Sequence, residues 1–336
     1  MNAKKVIKNI FLLGIIPLFL FSCNDQKPGP SPEPEPEPEP VPPEYERDKD
    51  NFTILPDDYF SYEDDPTDTK LKNKVYFAPT VDEVDQYERV RMYVAGRQFP
   101  VYAVKINPAH IYTSEELSRV NNGVTSFCLE GQVEIALHVN FSLNKGVTIS
   151  PLELDVPYHI DYNARVLRFT ISTHGQYVVN FGSNRSVMVF ANSFETLDKP
   201  TGSNVMYFGP GVHNHQNDKR INSYGEITLN SNDIVYIDLG AFVRARFISN
   251  RASNITFVGP GYVDGSQFKR TVNPGEAHVP IDFNWCTNIT IKDVAFLDPA
   301  GWCLNLYFDK DSTIDNIKII SSRHNGDGIS LQSCQN

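Results

Sequence analysis

The sequence predicts an all-β protein: a β-sandwich over residues 51–198, followed by a parallel β-helix, a solenoid, over residues 202–336. Three observations support this fold class. Several segments alternate apolar and polar side chains, as strands with one buried face do. Turn-forming residues separate the strands of the first part, which is typical of a sandwich. The second part contains strand-bearing repeats of 20 to 35 residues, which is typical of a solenoid.

The amino terminus has the features of a bacterial lipoprotein signal peptide. Three lysines precede an apolar run over residues 10–21, which is too short for a comfortable transmembrane helix. The run ends in Leu-Phe-Ser-Cys, whose last residue is Cys23. We therefore expect residues 1–22 to be removed and Cys23 to be lipidated. The mature protein would be a membrane lipoprotein that faces the periplasm or the cell surface.

Residues 23–50 predict a tether. Between Pro28 and Pro43 the chain is almost entirely alternating proline and glutamate. Proline favours the extended polyproline II conformation, and neighbouring glutamates repel one another, so such a segment cannot form a core.

The composition argues against several classes of partner and cofactor. The formal charge of −11 makes nucleic acid an unlikely partner, although part of that charge lies in the tether. The chain has five cysteines, and the four besides Cys23 match no zinc-binding spacing. We therefore expect no metal and no cofactor. Those four are Cys128, Cys286, Cys303 and Cys334.

The first part of the chain shows strands but no catalytic constellation. Residues 133–139, 166–171 and 177–181 alternate apolar and polar side chains over five to seven residues. The histidines in this part occur singly. They are most simply read as surface or strand residues.

An asparagine recurs in the second part. Asn254, Asn288 and Asn316 lie 34 and 28 residues apart, each directly before an apolar strand, and Asn336 follows 20 residues later. Asparagine tolerates the left-handed conformation, so each is expected at a turn, stacked on the asparagine of the next coil. The residues two positions earlier are expected in the core: Ala252, Cys286, Ile314 and Cys334.

Four stretches in the second part carry a family resemblance. They are Tyr207–His213, Gly259–Gly265 (Gly-Pro-Gly-Tyr-Val-Asp-Gly), Asp298–Trp302 and Asn325–Ile329 (Asn-Gly-Asp-Gly-Ile). In this order they resemble the right-handed parallel β-helix of glycoside hydrolase family 28, the polygalacturonases, and of family 49, the dextranases. A sandwich before the β-helix is more similar to family 49.

The resemblance implies inverting hydrolysis of a polysaccharide by aspartates. Asp327 matches the first aspartate of the family, a member of the pair that activates water. Asn325 matches the asparagine before it and would orient the turn. Without the resemblance, Asn325-Gly326-Asp327-Gly328 would be read as a polar turn.

Three further residues are candidates for substrate binding. Arg323 and His324 flank the motif and are expected to be exposed. There they would either bind a sugar or have no role.

Trp302 would either stack on a sugar ring or pack in the core. Asp309 and Asp311 are expected in a solvated loop, and Gly326 stands where the family commonly has threonine.

The family's remaining catalytic residues would follow Asn336. The resemblance therefore implies a β-helix that is incomplete at its carboxyl terminus, and a fragment that is inactive as it stands.

Two other functions remain open at this point. A polysaccharide lyase on the same fold would need clustered carboxylates for Ca²⁺, and only Asp293 and Asp298 lie close together. A non-catalytic glycan-binding surface lipoprotein would use the β-helix face and the sandwich. The substrate could be of the pectin type or the dextran type.

Overall fold

The computed structural model describes residues 45–61, 73–105, 122–182, 184–268, 278–323 and 326–336. Strands dominate this part of the chain, and its helices are two short 3₁₀ segments, Leu152–Leu154 and Phe194–Leu197. No helix within these ranges is long and apolar enough to cross a membrane. The prediction of an all-β fold with a parallel β-helix is confirmed. Residues 1–22 and Cys23 lie outside the described ranges.

Among the described residues, eleven strands form the sandwich in two sheets. One sheet has the order β1-β5-β11-β10-β7 with β4 beside β5, and the other has the order β3-β2-β6-β9-β8. The strands are β1 Asn73–Tyr76, β2 Val90–Val94, β3 Arg97–Phe99, β4 Tyr102–Ala103, β5 Asn122–Gly131, β6 Val133–Val139, β7 Thr148–Ser150, β8 Tyr158–Asp161, β9 Val166–Ile171, β10 Gly175–Asn180 and β11 Ser186–Asn192.

The sandwich core extends further towards the amino terminus than expected. Residues 45–50 were predicted to belong to the tether, yet Asp48 accepts a 2.8 Å bond from Arg91 of β2. Asn51 donates a 2.8 Å bond to the Asn140 carbonyl. Tyr45 packs against buried residues of the sandwich. The Pro-Glu alternation ends at Pro43, and the aromatic and charged residues after it supply these contacts.

Fifteen strands form the β-helix, three in each of five coils. Sheet I contains β12 Val205–Phe208, β15 Ile234–Ile237, β18 Ser253–Val258, β21 Thr287–Lys292 and β24 Lys310–Asp315. Sheet II contains β13 Gly211–His213, β16 Ala241–Val243, β19 Tyr262–Asp264, β22 Ala295–Leu297 and β25 Lys318–Ile320. Sheet III contains β14 Glu226–Thr228, β17 Arg246–Asn250, β20 Ile281–Asn284, β23 Leu304–Tyr307 and β26 Ile329–Gln332. Each strand pairs in parallel with its equivalent in the next coil.

The interior of the β-helix is apolar because alternate residues of every strand point inwards. Phe247, Phe257, Phe283 and Phe296 are fully buried there. The predicted glycine motif allows the coils to pack closely. Gly259 has a φ of +124°, and a Cβ at that position would overlap the Ile237 backbone, so only glycine fits.

The sandwich covers the outer face of sheet II. One apolar cluster joins Phe242, Tyr262 and Leu297 of this sheet to Tyr102 and Phe190 of the sandwich. The Tyr102 and Phe242 rings meet edge to face, with centroids 5.0 Å apart. Sheet II is therefore largely apolar on both faces, as is typical of a sheet buried on both sides.

A lysine lies within this interface. Lys318 is 4 % exposed. Its amine donates to the Asp293 carbonyl at 3.0 Å and to the Asn192 side chain at 3.3 Å. Burial lowers the pKa of this amine to about 8. The hydrogen bonds compensate for much of the cost of enclosing a cation.

The asparagine ladder is confirmed in part. Asn254 and Asn288 have left-handed φ values of 61° and 57°. Asn288 donates to Asn254 at 2.8 Å, and Asn254 donates to Asn232 at 2.9 Å. Asn316 also has a left-handed φ of 47°, as predicted for a turn, but the prediction that it stacks on Asn288 is wrong, because strand pairing places Asp311 there. Asn316 instead donates to Asp293 in a neighbouring turn.

Replacing Asn288 by alanine should destabilise the protein by about 2 kcal/mol. The left-handed conformation costs a β-carbon residue roughly 1–2 kcal/mol, and a hydrogen bond is lost. Glycine at this position keeps the conformation and loses only the bond, so Asn288→Gly should cost about half as much. Urea unfolding of the three proteins measures both effects. Equal losses for alanine and glycine would contradict the conformational part of the explanation.

Candidate functional site

Sheet III presents a polar outer face. Its strands alternate, so that Ile281 and Phe283 point inwards while Asp282 and Asn284 point outwards. The next strand repeats the pattern, with Asn305 and Tyr307 outward. Strand pairing places Asp282 beside Asn305, and Asn305 beside Ser330. The result is a continuous row of polar side chains across successive coils.

Hydrogen bonds link this face into one network. Arg246 donates to Asp282 at 2.7 Å and to Glu226 at 3.2 Å. Asn305 donates to the second oxygen of Asp282 at 2.9 Å. Gln332 then donates to Asn305 at 3.0 Å. These bonds fix the side chains in place, which suits a surface that must present donors and acceptors in a defined pattern.

Asp327 lies at the edge of this face, directly before β26. The Cys303 amide donates to the Asp327 carbonyl at 2.9 Å, and the Leu304 amide donates to the Gly328 carbonyl at 3.0 Å. The turn is therefore held in register with the previous coil. The carboxylate is exposed, and no side chain of the described residues forms a hydrogen bond with it. Such a group remains available to water or a ligand.

Trp302 lies beside Asp327 on the preceding coil. Leu304 pairs with Ile329, and extending this register by two residues brings Trp302 next to Asp327. The tryptophan is half-buried. Its indole nitrogen is buried, and among the described residues none accepts its hydrogen. These two predicted site residues thus occupy neighbouring backbone positions on adjacent coils.

Arg323 does not reach the site face, and the expectation that it is exposed is wrong. Its side chain is 1 % exposed and forms a bidentate ion pair with Asp298, at 3.0 and 2.6 Å. It also donates to the carbonyls of Gly265 and Phe268. The donors of this guanidinium are engaged inside the protein. It therefore stabilises the turn before the motif and does not bind a sugar.

Of the remaining motif residues, the structure describes Gly326. His324 and Asn325 lie outside the described residues. Gly326 stands where the resemblance predicts threonine. A Cβ there would overlap the Ser321 hydroxyl and would lie 2.9 Å from the Arg323 carbonyl. The turn therefore packs too closely for a larger residue.

Asp309 is buried, and the expectation of a solvated loop is wrong for it. Main-chain pairing aligns it with Cys286 and Cys334, the inward row that also contains Ala252. One carboxylate oxygen accepts the Cys286 amide at 2.6 Å, while the other is buried and accepts no hydrogen bond from the described residues. Burial, with a smaller contribution from the charge of Asp282, raises the pKa of Asp309 to about 6.

The structure contains no calcium-type cluster in the parts that it describes. No group of three or more His, Cys, Asp or Glu side chains within these ranges could hold a metal ion. Asp298, one of the two acids considered for a lyase, is 1 % exposed and paired with Arg323.

Sequence reasoning missed the polar row itself. Arg246, Asp282 and Asn305 were not among the predicted site residues. Strand alternation was the available signal, because both Ile281–Asn284 and Leu304–Tyr307 carry polar residues at their second position. The polar partners could not be assigned without the register between coils.

Comparison with known proteins supports the fold. No protein-family model matches this chain. No curated protein matches it in sequence. Among solved structures, Dex49A from Penicillium minioluteum is similar with a TM-score of 0.50 at 13 % identity, over 76 % of this chain and 62 % of Dex49A. This chain thus spans less than two thirds of the length of Dex49A.

A second solved structure is more distant. It comes from Parabacteroides merdae ATCC 43184, and its own assignment as a glycosyl hydrolase is an inference. It has a TM-score of 0.30 at 18 % identity, over 39 % of this chain and 65 % of the other. At this distance it carries no argument. The likeness to Dex49A supports the all-β architecture with its β-helix.

The buried carboxyl group of Asp309 should make stability depend on pH. Because its pKa in the folded protein is about 6, above the usual value of 3.8, its contribution to stability is fully present below pH 4 and is lost as the pH rises through 6. The loss amounts to at most about 3 kcal/mol. Asp309→Asn removes this titration, so its melting temperature relative to wild type should rise between pH 4 and 7.

Asp311→Asn is the matched control for this measurement. Asp311 lies two residues further along the chain, at the start of β24, and is exposed, so its variant should follow the wild-type pH profile. A constant difference between Asp309→Asn and wild type across this range would show that Asp309 does not titrate there.

Proposed function

We propose that this protein is a glycoside hydrolase that acts on a polysaccharide lying across the outer face of sheet III. The single observation that carries the proposal is the hydrogen-bonded polar row on that face, with the exposed Asp327 carboxylate and Trp302 at its edge. The resemblance of the four motifs to families 28 and 49, and the structural likeness to Dex49A, support the same choice.

Asp327 is assigned to the activation of water. Its carboxylate takes a proton from a water molecule while the oxygen of that water attacks the anomeric carbon. A separate acid gives its proton to the leaving glycosidic oxygen as the bond breaks, and the configuration inverts. Inverting enzymes separate the acid from the base by about 6.5–9.5 Å, which leaves room for the water. Among the described residues, only Asp327 is assigned a role in this hydrolysis.

The polar row is assigned to substrate orientation. Arg246 fixes Asp282 at 2.7 Å, and Asn305 fixes its other oxygen. The remaining lone pairs and amide hydrogens can bind sugar hydroxyls. Because these side chains are already held by one another, little conformational entropy is lost when a glycan binds.

The charge of the face favours a neutral glycan over a polyuronate. Glu226, Asp282 and Asp327 carry three negative charges, and Arg246 carries one positive charge that is already paired. The formal sum is −2, so a chain of uronate groups would be repelled. Of the two substrate types considered, this favours the dextran type over the pectin type.

The test is hydrolysis of dextran and of polygalacturonate by the full-length protein, followed as released reducing ends. We expect turnover of the neutral polymer. Asp327→Asn should lower kcat by about 100-fold or more, since the group that accepts the proton of the water is removed. KM should change less, because the carboxylate contacts the water rather than the sugar.

The control for this test is an exposed carboxylate outside the proposed site. Asp264, at the end of β19, is unsuitable because it is 6 % exposed and paired with Arg244 at 2.9 Å. Its removal would affect folding. Asp57, an exposed carboxylate on the sandwich side, is the better choice, and Asp57→Asn should retain full activity. Near-normal kcat in Asp327→Asn would reject the catalytic assignment. An unsaturated product would indicate a lyase, and binding without turnover would indicate a glycan-binding protein.

We also propose that the protein is anchored to a bacterial membrane by lipid on Cys23. The basic residues, apolar run and Cys23 at its end support this, as does the tether that follows. Cys23→Ala should leave an unprocessed precursor or release the protein from the membrane fraction. Metabolic labelling with a radioactive fatty acid measures the modification directly. Absence of label on the wild-type protein would rule out the anchor.

A further inference from the structure

Two aromatic residues stack on the surface where the strands of sheet III end. Trp285 follows β20, and Phe308 follows β23 on the next coil. Their ring centroids are 4.1 Å apart with an angle of 14° between the planes. Trp285 is 50 % exposed. Tyr307 contacts Phe308 edge to face at 4.4 Å and is itself 36 % exposed. Together the three rings form an exposed apolar patch, here called the aromatic platform.

The backbone at these positions disfavours such side chains. Trp285 and Phe308 have φ values of 59° and 57°, in the left-handed region that bulky residues rarely adopt. The equivalent turns of the neighbouring coils have the same conformation with Arg251 and Ser333, at 56° and 57°. The turn therefore requires a left-handed residue but not an aromatic one. Strained residues of this kind concentrate at functional sites.

The surroundings of the platform are polar and continuous with the candidate site. Asn284 and Tyr307 occupy paired positions on adjacent strands, and Gln332 follows in the same row. Asn284 donates to Asp282 at 3.3 Å, and Gln332 donates to Asn305 at 3.0 Å. Amide side chains thus flank Tyr307 in the same row. An occupant of this surface needs an apolar face and hydroxyl groups around its rim.

We propose that the aromatic platform is a glycan-binding subsite on which a pyranose ring of a neutral polysaccharide stacks, while Asn284 and Gln332 bind its hydroxyl groups. The choice of a glycan rests on the function proposed above. The platform lies where the strands of sheet III end, whereas Asp327 lies where β26 begins. Gln332 lies five positions after Asp327, which corresponds to about 16 Å of extended strand. The subsite would therefore hold the chain several sugar units from the reacting bond.

Affinity electrophoresis of the whole protein in gels that contain dextran, xylan or hydroxyethylcellulose tests this subsite without requiring hydrolysis. We expect wild type to be retarded by at least one of these polymers. Trp285→Asn and Phe308→Asn should raise the dissociation constant for that polymer by about 10-fold or more. Asparagine tolerates the left-handed conformation, so the melting temperatures should not fall.

Tyr162→Asn is the matched control, since Tyr162 is an aromatic residue of the sandwich that is 59 % exposed. Its variant should bind as wild type does. The proposal is overturned if no polymer retards wild type, or if Trp285→Asn binds normally. It is also overturned if the platform variants melt many degrees lower, since the rings would then be packing elements. Loss of binding in Trp285→Asn without hydrolysis by any form would support the subsite and reject the hydrolase.

Discussion

Lateral pairing between equivalent strands of successive coils is the constraint on which the rest of this structure depends. Each coil satisfies its backbone hydrogen bonds through the coils beside it, so residues at equivalent positions form rows across the molecule. The Asn254–Asn288 ladder, the Asp282–Asn305 row and the stacked rings of Trp285 and Phe308 are all products of this alignment. A side chain is placed by its position in the repeat rather than by its neighbours in sequence.

The outer faces of sheets II and III differ because the sandwich covers sheet II. Sheet II presents Phe242 and Tyr262, and these are covered. Sheet III presents Arg246, Asp282 and Asn305, which bond to one another and remain partly exposed. The same alternating strand pattern thus yields an apolar contact surface on one side and a polar ligand surface on another. The outward-pointing residues of each sheet determine which kind of surface it presents.

The sequence was sufficient to predict strand content, the repeat and the position of Asp327, since these depend on local alternation and on a turn motif. It was insufficient wherever the spacing of the repeat varies. Asn316 matches the pattern Asn-Ile-x-Ile, but pairing gives the equivalent place to Asp311. The same shift makes Asp309 a core residue. Arg323 was misjudged because its partner, Asp298, lies one coil away. No local pattern reveals a contact of that kind.

The apolar cluster between sandwich and β-helix makes the two parts thermodynamically interdependent. Separating them would expose Phe242, Tyr262 and Leu297 on one side and Tyr102 and Phe190 on the other. A β-helix stripped of residues 45–198 would thus present a flat apolar strip to water, a surface that promotes self-association. Conversely, free energy gained by a glycan on sheet III would also stabilise the distant sandwich, because a ligand of the native state opposes unfolding of everything that unfolds with it. By covering this apolar strip, the sandwich keeps the β-helix soluble.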